Sequence, residues 1–370
     1  MGRRIFLVAG DPSGERYAAR LMAAWRQLDP AVEFFGIGGP QMEAQGLRSL
    51  VPLHRISVVG FWEVVRRYGF FRHLLRLSEA TIRSHSVDAV VLVDYPGFNL
   101  RLAERARRAG VPVYYYIAPQ VWAWGRWRLR ALARTVSLLV VAFPFEVELF
   151  RRAGIRCAFV GHPLMDEPQL AALPPDPEHR PLQVALLPGS RPQELRYHLP
   201  LLRQVVRLLE RELSQARFCA LLPPTLPRER FPNVEEPWEW QQDAYALLLH
   251  SRMGLVKLGT STLEAALCGM PFVAFYRTSW VSYTIARALV QIPSAVMVNL
   301  LVGDTVVPEL LQSRAQPAAL ARAVMQLLEP TAAQRQWEHF LRLRTLLGEP
   351  GVAQRAAALI AEHLSSRGIA

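Results

Sequence analysis

Short apolar runs alternate along the chain with segments in which apolar residues return every third or fourth position. The runs Ile5–Ala9, Val90–Val93, Val113–Ile117, Leu138–Phe143, Ala158–Val160, Gln183–Leu187, Cys219–Leu222, Gly254–Leu258 and Phe272–Phe275 read as strands buried on both faces. Helical spacing marks the segments between them, such as Tyr17–Leu28 and His198–Leu213. Strands and helices in alternation predict an α/β fold built on parallel sheets. From Pro163 to Pro181 the pattern stops, because Pro163, Pro168, Pro174, Pro175, Pro177 and Pro181 oppose both helix and strand. It restarts at Gln183. The expectation is two doubly wound domains, 1–170 and 171–344, joined by a stiff linker and facing each other across a cleft. A final helix, about Gly351 to Ser365, has no strand after it, and the segment 345–370 is expected to pack back on the first domain.

Bulk properties narrow the class. A chain of 370 residues exceeds one ordinary core, and 51% hydrophobic with 20% charged residues describes a packed protein. No apolar run approaches the roughly 18 residues of a membrane span. The first run, Ile5–Ala9, is too short for the ~7–15-residue core of a signal peptide. A cytoplasmic protein is expected. Cys157, Cys219 and Cys268 are far apart and in apolar surroundings, as reduced core thiols are. The net charge of +12 is carried almost wholly by arginine, Lys257 being the only lysine. Such an excess favours an anionic partner. No nucleic-acid module or dense basic stripe is present, so phosphate or an anionic membrane fits the clusters Arg66–Arg76, Arg101–Arg108 and Arg126–Arg134 better.

Four turns carry candidate chemistry. Gly10-Asp11-Pro12-Ser13-Gly14-Glu15 follows the first strand and opens a helix, so its backbone can approach a ligand; a plain strand-to-helix turn is the alternative. Gly36-Ile37-Gly38-Gly39-Pro40 reads as a second small-residue turn. In Val93-Asp94-Tyr95-Pro96-Gly97-Phe98-Asn99 a carboxylate stands at the C-terminal edge of a parallel strand, where open α/β sheets bind ligands. Asp94 there suits a general base on an acceptor hydroxyl, and equally a helix N-cap. Pro188-Gly189-Ser190-Arg191 offers backbone donors and a guanidinium fork for a diphosphate leaving group. Gly259-Thr260-Ser261-Thr262-Leu263-Glu264 opens a helix with hydroxyls and free N–H groups, with Glu264 either closing a capping box or holding a ribose diol. No Asp-x-Asp follows a strand and the histidines are dispersed, so neither a metal nor another cofactor is expected. His162, beside the linker, reads as structural.

Together these segments closely resemble the lipid-A-disaccharide synthases, inverting glycosyltransferases of the GT-B fold, that is, two Rossmann-like domains. The matching blocks are LVAGDPSGE, GIGGPQMEAQG, VDYPGFNLRLA, YYIAPQVWAWGRWR, AFPFE, FVGHPL, LLPGSRPQE, GTSTLEAAL and MVNLLVGDTVVPELLQ, in family order over nearly the whole chain. The resemblance implies transfer from UDP-2,3-diacylglucosamine to 2,3-diacylglucosamine 1-phosphate, giving a β-1′,6-linked disaccharide of lipopolysaccharide biosynthesis without a metal. It places the catalytic aspartate on Asp94 and the phosphate-contacting arginine on Arg191. Donor binding falls on Gly189, Ser190, Gly259, Thr260, Ser261, Glu264, Tyr276, Arg277 and Asn299, and the acceptor turn on Asp11, Ser13, Gly14 and Asn99. Gly97 stands where the family often has a second aspartate, Leu258 where serine is common, and Val298 where proline is.

The alternatives are a related UDP-sugar lipid glycosyltransferase with another acyl or sugar preference, and a UDP-sugar 2-epimerase, which shares the two-domain architecture. A lipid acceptor implies peripheral attachment to the inner face of the cytoplasmic membrane. Val58–Leu77 interleaves aromatics with arginines, so Phe61, Trp62, Phe70 and Phe71 are the expected contacts with an anionic bilayer; a core helix with a basic edge is the other reading. A homodimer is left open.

Overall fold

The computed structural model describes residues 2–56, 67–125, 127–222, 236–280, 283–284, 287 and 292–367. The chain divides into two compact units, Met1–Asp166 with Leu347–Ala370, and Glu167–Leu346. The strands of the first unit are β1 (Arg4–Ala9), β2 (Glu33–Gly38), β3 (Leu47–Pro52), β4 (Ala89–Val93), β5 (Val113–Tyr116), β6 (Leu138–Val141) and β7 (Cys157–Phe159). Its helices are α1 (Pro12–Leu28), α2 (Pro40–Ala44), α3 (Tyr68–Ser84), α4 (Pro96–Arg108), α5 (Arg128–Thr135) and α6 (Pro144–Arg152). All seven strands are parallel, in the order β3-β2-β1-β4-β5-β6-β7.

The second unit repeats the plan. Strands β8 (Gln183–Leu187), β9 (Arg217–Leu221), β10 (Glu239–Gln241), β11 (Met253–Lys257), β12 (Phe272–Tyr276) and β13 (Glu309–Leu311) form a parallel sheet in the order β10-β9-β8-β11-β12-β13. Its helices are α7 (Pro192–Glu212), α8 (Ala244–His250), α9 (Thr260–Leu267), α10 (Met297–Val302), α11 (Pro317–Gln326) and α12 (Pro330–Leu347). The last helix, α13 (Val352–Arg367), belongs to the first unit and packs along α1. The Asp166 carboxylate starts α13 by accepting from the N–H groups of Gly351, Val352 and Ala353 at 2.7–2.9 Å. In the proline-rich stretch, buried Arg180 donates to carbonyls of Pro175, Leu248, Ser251, Cys268 and Gly269, which fixes chain that cannot form a ladder of its own.

Strand order reverses between β1 and β4 in one unit and between β8 and β11 in the other. Ala9 pairs with Val93, and Leu187 with Val256. The turns after these strands therefore lie at the switch points, where neighbouring connections leave to opposite faces and open a crevice.

Four strands escape the apolar pattern. The presumed turn at Gly36–Pro40 is mostly strand, since Gly36 (φ 146°) lies against β1, where a Cβ would stand 1.9 Å from the Leu7 carbonyl oxygen. Strand β3 is half polar, and β10 and β13 span three residues each. Strand β6 stops at Val141, short of Phe143, because the Glu146 carboxylate accepts from the Ala142 and Phe143 N–H groups (3.1 and 3.0 Å) and turns the chain into α6. The three cysteines are free and buried.

Candidate functional site

At the first switch point, β4 ends in two left-handed residues, Asp94 (φ 44°) and Tyr95 (φ 48°), and Ile117 after β5 is a third (φ 64°). Non-glycine residues hold such angles only when their surroundings impose them. The Tyr115 hydroxyl (2.6 Å) and Asn99 Nδ2 (2.7 Å) both donate to the Asp94 carbonyl oxygen, and the Tyr95 hydroxyl donates to Ile56 (2.8 Å). Gly10 makes room for the Tyr95 ring, which a Cβ there would meet at 2.2 Å. The N-cap of α4 is Tyr95, without a side-chain cap bond, so the Asp94 carboxylate is not spent on capping. Burial, then the nearby Asp11 charge, push its pKa up to about 7, against a backbone bond from Tyr95 and the Arg128 charge. Asp11 itself caps α1, accepting from Gly14 N–H at 3.0 Å, with Ser13 half-exposed in the first turn.

Beyond Asp94 stands a group that motif reading overlooked. Arg128, only 7% exposed, stacks over Trp124 at 4.0 Å and lies 5.2 Å from the Trp127 ring centre. Glu146 is buried, accepts from Trp122 Nε1 (2.9 Å), and has its pKa raised to about 7, chiefly by burial. The Trp122, Phe145, Phe143 and His162 rings follow in edge and stacked contacts. His162 is buried and held neutral, its pKa pushed down to about 3, and its Nδ1 accepts from Leu164 N–H.

At the second switch point the organising group is Glu194, in the first turn of α7. It is 4% exposed and accepts from Ser190 N–H (3.2 Å), Arg191 Nη1 (3.2 Å) and Lys257 Nζ (3.4 Å). Lys257 ends β11, and burial lowers its pKa against the attraction of Glu194. Gly189 (φ 111°) and Gly259 (φ 134°) turn the chain after β8 and β11, and Gly259 N-caps α9 beside exposed Thr260 and half-buried Ser261. His198, buried, donates through Nδ1 to the Pro188 carbonyl (2.6 Å) and accepts at Nε2 from Arg277 N–H (3.1 Å). That ties the phosphate-type turn to the end of β12, where Tyr276 feels the charges of Glu194 and Arg191. Arg191 and Lys257 thus present two cations beside two helix N-termini, suited to a diphosphate.

Some expected site residues have other work. Asn99 is fully buried and its Nδ2 serves the Val93 and Asp94 carbonyls, so it shapes the Asp94 turn without reaching the surface. Asn299 is also buried; its amide donates to Val307 and Glu309 and accepts from Val306 and Val307, which uses its full capacity inside the fold. Glu264 is the fifth residue of α9, two beyond the position from which a capping box reaches back, so that reading fails. Phe61 and Trp62 lie outside the described residues. Phe70 and Phe71 are half-buried and pack on the core, which leaves Tyr68 and Leu77 as the exposed apolar side chains of α3.

Between α3 and α4 opens a cavity of about 440 Å³, with Phe71, Leu75 and Phe98 in its wall and Arg72, Arg101 and Arg105 among its polar lining. Gly97, three residues beyond Asp94, also lines it, and a Cβ there would meet nothing within 4 Å. No helix among the described residues is long and apolar enough to cross a membrane. Among them, no group of three His, Cys, Asp or Glu side chains is placed to hold a metal ion.

A family model described as lipid-A-disaccharide synthetase matches residues 5–363. A lipid-A-disaccharide synthase of Anaeromyxobacter dehalogenans (strain 2CP-1 / ATCC BAA-258) is 37% identical over 375 residues, covering 96% of each chain. Among solved structures, a putative UDP-N-acetylglucosamine 2-epimerase from Listeria monocytogenes matches with a TM-score of 0.64 at 12% identity, over 99% of this chain and 97% of that one. The calicheamicin glycosyltransferase CalG4 matches with a TM-score of 0.63 at 17% identity, over 99% of each chain. At such identities the two structures speak for the fold alone.

Proposed function

The chain belongs to the lipid-A-disaccharide synthase family, and on that premise we propose how its two sites divide the reaction. The family activity is glycosyl transfer from UDP-2,3-diacylglucosamine to 2,3-diacylglucosamine 1-phosphate, on a GT-B fold. The epimerase alternative has only a likeness of fold behind it.

The first unit takes the acceptor and the second the UDP-sugar. Asp94 accepts the proton of the acceptor's 6-hydroxyl as that oxygen attacks the anomeric carbon of the donor. The bond from that carbon to the UDP oxygen breaks, and the new bond forms on the opposite face, which gives the β linkage. The charge developing on the departing diphosphate is met by Arg191 and Lys257. Glu194 holds these donors in place. No step calls for a metal. Acyl chains of the acceptor enter the α3–α4 cavity, whose arginines suit an anionic lipid surface. The protein works from the inner face of the cytoplasmic membrane.

One observation carries this reading: a carboxylate at a topological switch point, free of capping duty, with its pKa near 7. A base poised there is partly ionised near neutral pH and basic enough to take a proton. Mass spectrometry of the product from the two acylated glucosamines tests it, with Asp94→Asn as the control. A product of any other mass, or an unimpaired variant, would sink it.

A further inference from the structure

Three arginines are buried among the described residues: Arg128, Arg180 and Arg344. Arg180 and Arg344 donate to main-chain carbonyls, as a buried guanidinium must if its charge is to be tolerated. Arg128 is the exception. Its Nε is buried without a partner, and no hydrogen bond or ion pair to its guanidinium occurs among the described residues. It rests instead on the Trp124 face at 4.0 Å, with Trp127 at 5.2 Å. Stacking compensates part of the lost hydration and leaves the N–H edge unoccupied. A planar fork held on an aromatic face matches the paired oxygens of a phosphate.

Its position tells what the fork faces. Asp94 and Tyr115 feel its charge, so the guanidinium stands at the C-terminal end of β4 and β5. Yet it makes no ion pair with Asp94, and its donors remain for a group that arrives with the ligand.

We propose that Arg128 is the anion-recognising residue of the acceptor site and binds the phosphate monoester of a sugar phosphate whose hydroxyl is presented to Asp94. This rests on the assignment of the acceptor to Asp94. The residue selects phosphorylated acceptors; it does not carry out the proton transfer.

The test uses short-chain 2,3-diacylglucosamine 1-phosphate and its dephosphorylated counterpart, assayed without vesicles. The unaltered protein loses about 10- to 100-fold in kcat/KM when the phosphate is absent. Arg128→Gln loses as much on the phosphorylated acceptor, turns over both acceptors alike, and keeps its KM for the donor. Arg128→Lys keeps the charge without the fork and retains an intermediate preference. Equal slowing on both acceptors would mean that Arg128 acts on Asp94, and overturns the proposal. So does a full preference surviving in Arg128→Gln or, if that variant does not fold, in Arg128→Lys. Weakened binding of Arg128→Gln to anionic vesicles with the preference intact would assign the fork to a lipid headgroup, again against the proposal. Acceptor binding to Asp94→Asn separates the two readings: affinity there still depends on the phosphate even if Asp94 proves not to be the base.

Discussion

The Tyr115 hydroxyl donates to the main-chain carbonyl of Asp94 across 2.6 Å, from one parallel strand to the end of the next. Asn99 donates to the same oxygen from α4. Two side chains thus hold a left-handed aspartate that the local sequence would not adopt unaided. Tyr115→Phe is expected to cost about 1–2 kcal/mol of stability through the lost bond. Because the Asp94 turn loosens, turnover should fall several-fold as well, read by denaturant unfolding alongside steady-state kinetics.

Asp94→Asn should keep the fold and lower kcat by roughly 10²-fold or more. With its pKa raised to about 7, Asp94 is protonated below neutrality, so the rate of the unaltered protein should rise with pH through that region. Stability runs the other way. A carboxyl whose folded pKa is above its unfolded one binds protons better when folded, so it costs stability increasingly from about pH 4 to pH 7. Asp94→Asn should therefore raise Tm at pH 8, with the gain fading toward pH 5. Thermal scans at both pH values check this.

Arg191→Lys keeps the charge but loses the fork, and kcat should drop by about 10-fold. Glu194→Gln removes the carboxylate that gathers Ser190, Arg191 and Lys257, and should weaken UDP affinity while leaving acceptor affinity alone. Calorimetry with UDP and acceptor titrations distinguish the two.

If Arg191 and Lys257 supply the positive charge at the diphosphate as proposed, excess EDTA should leave the rate unchanged. Loss of activity restored by Mg²⁺ would refute the mechanism.

Gly97→Phe should fill the α3–α4 cavity without a backbone clash, since nothing lies within 4 Å of its Cβ position. Turnover of long-chain acceptors should fall, while short-chain acceptors are spared. Equal loss on both would remove the acyl role from this cavity.

The sequence by itself determined the class of the fold and the location of the turns. Doubly buried strands have to be apolar throughout, so β1, β4, β5, β8, β11 and β12 announce themselves, and the family blocks fall on the turns that follow them. Of the edge strands, β7 shows as the run Ala158–Val160 and the other three do not. Strands β3, β10 and β13 are short or half polar because one side faces no neighbour, and β2 hides behind a glycine needed for close approach to Leu7. What only the tertiary structure decided is which polar residues are spent on the fold. Asn99 and Asn299 look like binding residues in a motif, yet their amides are turned inward on main-chain carbonyls. Glu194 and Lys257 in the second unit, and Arg128 in the first, look ordinary along the chain; β8 and β11 bring the first two within a hydrogen bond, and packing on Trp124 buries the third. Pattern along the chain records burial, whereas the partner of a polar group is set by residues distant in sequence, and only packing brings them within a hydrogen bond.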